Sequence, residues 1–307
     1  MQEKKEILVP KKYAHIRLDQ ALASLFPSYS RASMQQHIEG GRVFVNGHAQ
    51  KKRYLVEEGD LLTLCLLPPE PSLLIPENMS FSVLFEDTDL FAINKPPHLV
   101  VHPAPGNKSG TFVHGFLAHL QNSAFDDPVR PGIIHRLDKD TSGVLLAAKN
   151  REALYAVSKQ FHDRKVGKEY FAVVVGEFTG YSDVQGCIAR DPRNRKRMAV
   201  SESGKHARTE VFGVQARNGF SLIRAIPHTG RTHQVRVHLR SLGLSILGDD
   251  LYGQKEINKK WGVRQMLHCF SLTFCHPRTH ETLRLEAPFF ADMKAVFERL
   301  GFYTSSW

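Results

Sequence analysis

The sequence is short of the features that mark several large functional classes. It has four cysteines, Cys65, Cys187, Cys269 and Cys275, and no two of them show the C-x-x-C spacing of a zinc or redox site. Set in apolar contexts such as "LLTLCLL" and "LHCFSLTFC", they are expected to be buried, reduced thiols. No apolar run approaches the length of a membrane span, and "MQEKKEILVPKK" has no apolar signal core, so a cytoplasmic protein is expected. "APGNKSGT" lacks the glycine-lysine-serine order of a phosphate-cradling loop, and neither G-x-G-x-x-G nor G-x-S-x-G occurs. There is no internal repeat and no low-complexity tract. Histidines are plentiful, but His228, His233 and His238 are five apart and fall on different faces of a helix. His98 and His102 lie in a segment that Pro103 favours as extended. No metal site is expected.

What the chain does have is positive charge. Its 307 residues carry 41 Lys and Arg against 31 Asp and Glu, a formal charge of +10. A basic surface of that size favours a polyanionic partner, because neutralised phosphates release their counterions. Charge alone does not separate a nucleic acid from an acidic membrane surface.

A proline-rich break, "LLPPEPSLLIPENMS", reads as an extended linker over 67–80 and divides a small module at 13–66 from a larger domain at 81–304. In the module, Leu18, Ala21, Leu22 and Leu25 repeat at helical spacing, and a second helix runs from Ser30 as N-cap to Gly40-Gly41. "RVFVNGHAQ" is a hairpin turning at Asn46-Gly47, and "GDLLTLCLL" is a further strand. Arg17, Arg31, Arg42, Lys51, Lys52 and Arg53 make this unit basic. The order of these elements, with "RLD", "SR" and "V-x-V-N-G" in place, resembles the S4 RNA-binding module. Without that resemblance, a solvated basic folding cap would serve as well.

The larger segment mixes strands and helices without strand-helix alternation. An α+β domain with a mixed, mainly antiparallel sheet flanked by helices is expected. Strands are read at "KEYFAVVVGEF", "ARTEVFGVQA", "FSLIRAIP" and "HCFSLTFCHP". Helices are read at "TFVHGFLAHLQN", "REALYAVSKQFHDRK" and "FFADMKAVFERLGF".

Four stretches could carry chemistry. In "HRLDKDTSG", Asp138 sits two residues from Arg136, and a guanidinium partner would keep it ionised as a nucleophile or base, unless the pair merely closes a turn. In "IPHTGRTHQVRVHLRSLG" the apolar spacing of Val235, Leu239 and Leu242 starts a helix near Arg231. His233, Arg236 and Arg240 then share a polar side able to hold phosphate or pair with Asp138, if it is not simply solvated. In "GKEYFAVVVG", Tyr170 could stack on a base, move a proton, or be a core aromatic. In "ARDPRNRKRMAV", Arg190, Arg193, Arg195, Lys196 and Arg197 crowd a loop that could follow a nucleic-acid backbone or remain solvated.

Taken in order, these stretches resemble the RluA/RluD family of pseudouridine synthases along essentially the whole chain. "INKPPHLVVHPAPGN" is similar to the family's first motif, "GIIHRLDKDTSGVLLAAK" to its HRLDxxTSG signature, "KEYFAVVVG" to its tyrosine strand, and "TGRTHQVRVHL" with "LGLSILGDDLYG" to its third motif. His98 and His280 stand where many members have glycine, and both are expected in turns. The resemblance implies isomerisation of uridine to pseudouridine in structured RNA, without cofactor or metal, most simply in large-subunit (23S) ribosomal RNA or ribosomal particles. The alternatives are a tRNA target or a non-catalytic RNA-binding assembly factor. It implies Asp138 as catalyst, Tyr170 as active-site tyrosine and Arg236 as the motif-three basic residue. Arg136, Arg231 and His233 are then expected to engage RNA beside Arg193, Arg195, Lys196 and Arg197. Asp140 falls at a variable position and is a bystander. A monomer is the default.

Overall fold

The computed structural model describes residues 3–26, 29, 31–66, 74–104, 106–120 and 131–303. The chain divides into two compact units. In the first, β1 (Glu3–Leu8) is followed by α1 (Leu18–Leu25), α2 (Arg31–Glu39), β2 (Val43–Val45), β3 (His48–Ala49) and β4 (Leu61–Leu66). The strands form one sheet in the order β1-β4-β2-β3. The helical spacing read from sequence buries Leu18, Ala21 and Leu22 against Met34 and Ile38 of α2 and Val45, Leu62 and Leu64 of the sheet. The hairpin turns at Asn46 and Gly47, both at positive φ (50° and 77°), the backbone that a two-residue turn of matching twist needs. β1, ahead of the 13–66 segment, has no apolar periodicity of its own and is held by its antiparallel ladder to β4. Ser30, Pro68, Pro69 and Pro71 lie outside the described residues, and 74–80 has no regular structure.

The second unit runs β5 (Val83–Glu86), β6 (Leu90–Lys95), α3 (Phe112–Leu120), β7 (Ser142–Ala148), α4 (Arg151–His162), β8 (Gly167–Val175), β9 (Tyr181–Arg190), β10 (Met198–Val200), β11 (Lys205–Arg217), β12 (Phe220–Pro227), α5 (Gln234–Ser241), β13 (Ser245–Ile246), α6 (Lys255–Trp261), β14 (Leu267–Cys275), β15 (Thr282–Glu286) and α7 (Ala291–Leu300). Its strands make a mixed sheet in the order β10-β9-β11-β12-β8-β14-β7-β6-β5, with β13 beside β8 and β15 beside β14. Among the described strands, β7 and β14 are the parallel pair, as the expected mixed, mainly antiparallel α+β class requires.

Successive side chains alternate between faces of a strand, so β6 and β7, buried throughout, must be covered on both sides. On one face Leu90, Ala92, Val144 and Leu146 pack with Ala153 and Val157 of α4. On the other, Phe91, Ile93, Leu145 and Ala147 meet Phe112 and Phe116 of α3. Further along the sheet, Val173, Leu222 and Ile223 join Val235 and Leu239 of α5 and Val296, Phe297 and Leu300 of α7. β7 approaches β14 through Gly143, at φ 111°, where a Cβ would fall 2.1 Å from the Cys269 carbonyl oxygen. Only glycine permits that pairing.

Two expectations need adjusting. α5 begins at Gln234 rather than near Arg231, because the 229–233 segment is held in a turn by the Gln234 side chain. Of the cysteines, which are all free, Cys269 alone is buried and the other three are partly exposed. β9 and β10 have no apolar run to announce them. His98 and His280 do sit at turn positions with positive φ, 66° and 61°.

Candidate active site

The loop from Ile134 to Thr141 feeds into β7 and is pinned from several directions. Leu137 is buried in the core. His135 accepts a bond from the Leu146 amide (2.9 Å) and stacks on Phe161 at 4.9 Å. Burial, with help from nearby Lys168, pushes His135 down to about 3, so it acts as a neutral acceptor. The Lys95 ammonium, fully buried, donates to the carbonyls of Pro96, Leu99 and Lys139 at 2.8 to 2.9 Å, tying the "NKPP" segment to the loop. Gln265 donates to the Thr141 hydroxyl (2.7 Å), and Asp140 meets His98 at 2.8 Å. The Thr141 amide closes the turn on the Asp138 carbonyl (3.2 Å). The Asp138 carboxylate, about one-fifth exposed, is thereby presented to a cavity of about 620 Å³.

Its partner comes from the first turn of α5. The Arg236 guanidinium, 7 % exposed, donates through Nη1 to Asp138 Oδ2 (2.9 Å). Its Nε and Nη2 form a fork on both oxygens of Asp249 at 2.7 and 2.9 Å. Burial opposes the arginine charge, but the bonds to Asp249 and the field of Asp138 outweigh it and hold Arg236 above its ordinary range. Asp249 Oδ1 also accepts the Leu251 and Tyr252 amides, fixing the carboxylate before it meets the arginine. The guanidinium lies 4.9 Å from the Tyr252 ring. His233, in the left-handed conformation at the cap of α5 (φ 57°), bonds the Tyr252 hydroxyl at 2.9 Å and stands 3.9 Å from Asp138 Oδ2. Burial lowers its pKa, partly offset by Asp138. Gln234 saturates its own amide on Thr229, Arg231, Arg208 and Thr209, locking the turn from which Arg236 projects.

β8 supplies another wall. Tyr170 faces the cavity in register with Cys269 of β14. Burial raises its phenol well above the usual range, with the Cys269 thiol and Asp138 adding to the shift. The thiol itself is pushed up to about 12 by burial. Two residues earlier on the same strand face, Lys168 lines the same cavity.

Of the residues expected from sequence, Asp138, Tyr170, Arg236, Arg136, Arg231 and His233 line this one cavity. The expected pairing of Asp138 with Arg136 is not what forms: Arg136 is exposed, and Arg236 supplies the guanidinium. Arg193, Arg195 and Lys196 are exposed on the loop between β9 and β10, while Arg197 is half-buried, 5.9 Å from the Tyr252 ring. In the first unit, Arg42, Lys51 and Arg53 are at least partly exposed. There, Lys52 pairs with Glu39, and Arg17 forks onto buried Asp19 at 2.9 and 3.1 Å. The Arg31 side chain lies outside the described residues. Sequence reasoning passed over Asp249, Gln234, Lys95, Tyr252 and Lys168. "GDDLYG" holds two adjacent aspartates, and nothing in their spacing selects Asp249.

Asp87, Asp89 and His276 could in principle gather a cation. However, Arg278 already spans both Asp89 oxygens and holds that carboxyl down to about 2, while Asp87 bonds His276 and two backbone amides. The donors are occupied by protein groups.

The family model described as RNA pseudouridylate synthase matches residues 89–241, and the S4 domain model matches 16–62. A Bacillus subtilis protein named "Uncharacterized RNA pseudouridine synthase YlyB" is 39% identical over 287 residues, covering 92% of this chain and 94% of its own length. A Neisseria meningitidis protein named "Ribosomal large subunit pseudouridine synthase D" is 38% identical, covering 92% of this chain and 78% of its own. Among solved structures, human RNA pseudouridylate synthase domain containing 1 aligns with a TM-score of 0.58 at 25% identity, over 70% of this chain and 87% of that one.

Proposed function

Since this chain belongs to the RNA pseudouridylate synthase family and is an RNA pseudouridine synthase, we propose that it isomerises specific uridines of large-subunit ribosomal RNA, with Asp138 as catalyst and no cofactor. The observation that carries the catalytic assignment is the Asp138–Arg236–Asp249 chain. One oxygen of Asp138 is held by a buried guanidinium that a second, fully buried carboxylate fixes, and the other is left for the substrate. An ion pair so constrained keeps a carboxylate aimed. The ribosomal target is supported by the relatives named for the large subunit and by the S4 domain.

The reaction breaks the N1–C1′ bond, turns the uracil and joins C5 to C1′. C5 loses a proton and N1 gains one, so nothing is added overall. The target nucleotide must first leave its stack, at a cost of roughly a few kcal/mol that backbone contacts offset. Asp138 then either attacks C1′ or removes the 2′ proton. Tyr170 packs on the uracil. Its phenol stays protonated in the resting site, so it can receive the C5 proton only as it passes its own to Asp138, making it a shuttle rather than a free base.

Pseudouridine mapping tests this reading. Ribosomal and transfer RNA from cells lacking the protein are compared with RNA from cells restored with wild type or Asp138→Asn. Loss of defined large-subunit sites, rescued by wild type and not by the variant, is expected. Rescue by Asp138→Asn removes the aspartate assignment, and loss confined to transfer RNA moves the substrate.

A further inference from the structure

Lys168 is set in the wall of the cavity that holds Asp138, with little to balance its charge. It is half-buried, and its ammonium donates to one backbone carbonyl, that of Thr229, at 2.9 Å. Among the described residues it enters no ion pair. The same holds for the other cations lining the cavity away from Arg236: Arg136, Arg164 and Arg231. Arg231 spends its Nε on the His206 carbonyl (3.0 Å). Several other cations with comparable burial have carboxylates: Arg236 has Asp138 and Asp249, Arg264 has Asp292, and Lys149 has Glu86. Lys95, also without a carboxylate, is instead saturated by three carbonyls, where Lys168 has one. Glu169, the residue beside Lys168, faces the opposite side of β8 and pairs there with Arg224 and Arg284. Taking a cation out of water without a counter-charge costs folding energy, and such a group is retained where a ligand brings the missing charge.

We propose that Lys168, with Arg231 beside it, forms a subsite for a phosphodiester of the RNA strand adjacent to the target uridine. This rests on the reading of the cavity as the uridine site. The spacing fits. Lys168 and Tyr170 are two residues apart on one strand face, roughly 6.6 Å along the strand, comparable to the reach from a base to the phosphate of its own nucleotide. With Tyr170 under the uracil, Lys168 stands where the backbone must enter. Burial brings Lys168 down to about 8, opposed in part by Cys269 and helped by the neighbouring Arg231 charge. An arriving phosphate reverses that imbalance.

The discriminating variant is Lys168→Met in the full chain, because the alternative is a structural peg holding the Thr229 carbonyl. Binding to a large-subunit ribosomal RNA transcript is measured from about 50 to about 200 mM salt. The subsite predicts a Kd raised roughly tenfold at low salt, and a slope of log K against log salt shallower by about 0.7 to 0.9. It also predicts a thermal midpoint unchanged or higher, and near-native binding by Lys168→Arg. The peg predicts a lower midpoint with an unchanged slope, and that result overturns the proposal. Replacing single phosphates around the modified uridine by neutral methylphosphonates locates the contact. One such replacement should weaken wild type and leave Lys168→Met unaffected; if every position weakens both proteins equally, the subsite is refuted, whatever the folding of the variant. Failure of wild type to modify the transcript, or full modification by Asp138→Asn, counts against the catalytic reading instead.

Discussion

Removing Arg236 should cost this protein more stability than its single side chain suggests, and removing Asp249 as well should return much of it. In Arg236→Met, Asp249 remains fully buried with only the Leu251 and Tyr252 amides as donors. Breaking one partner out of a buried ion pair costs about 3 to 5 kcal/mol, most of it the penalty of the charge left behind. For a unit of this size that lowers the thermal midpoint by about 6 to 20 °C. Asp249→Asn keeps the shape but leaves the Arg236 fork short of a charged acceptor, at about 2 to 3 kcal/mol. In the double variant neither charge is stranded. Its cost should fall short of the sum of the singles by about 2 to 4 kcal/mol, well beyond the ~0.5 kcal/mol within which independent sites add. Urea unfolding of the four proteins measures the cycle. All three variants should also lose pseudouridine formation, because Asp138 loses its donor or its donor loses its brace. An additive cycle would refute the claim that Asp249 is the group that fixes Arg236.

Three further outcomes follow from other parts of the structure. His238 and His268 are fully buried and brought down to about 4, chiefly by burial. Unfolded, they take up protons near pH 6.5 while the native protein does not, so the stability they contribute is complete above pH 6.5. It is lost as pH falls toward 4, at about 1.4 kcal/mol per unit for each residue; denaturant midpoints that stay flat between pH 6.5 and 4 would contradict this. Gly143→Ala places a Cβ against the Cys269 carbonyl at φ 111° and should cost about 3 kcal/mol or more, with the loop bearing Asp138 displaced. A midpoint within a degree of wild type would show that β7 can shift freely. Tyr170→Phe retains the ring but removes the hydroxyl that the proposed shuttle uses, so RNA binding should persist while release of tritium from C5-labelled RNA falls by about 100-fold or more; unchanged release would remove Tyr170 from the proton path.

The sequence disclosed those parts of the molecule whose physics is local. Helical spacing at Leu18, Ala21 and Leu22, the Asn46-Gly47 turn and the closing helix before Gly301 were all readable, because each is set by neighbours within one or two turns of chain. β9 was not, since "YSDVQGCIAR" alternates without an apolar face and is held as a strand by its ladder to β11. The same division runs through the candidate site. Asp138 announced itself as a carboxylate between two apolar segments, but the choice of its guanidinium partner was a tertiary matter. Arg136 is two residues away and turns to solvent; Arg236 is 98 residues away and makes the bond.

Three of the residues that sequence passed over share a property that explains why they were missed. Lys95, Gln234 and Asp249 each spend their polar atoms on backbone or on another side chain, so each acts by holding something else in place. A residue of that kind has no chemical signature in a one-dimensional pattern, because any polar side chain of suitable length looks alike until the cavity around it exists. Their combined effect is to leave the site with one aimed anion and a rim of unbalanced cations. On the proposed reading that asymmetry serves both binding and reaction: the rim cations are there for the RNA strand, and the one carboxylate of the lining is held apart from them by its bond to Arg236. Were Asp138 instead paired with Arg136, as its spacing first implies, that rim cation would no longer be free for a phosphate, and the carboxylate would lose the brace that Asp249 gives it through Arg236.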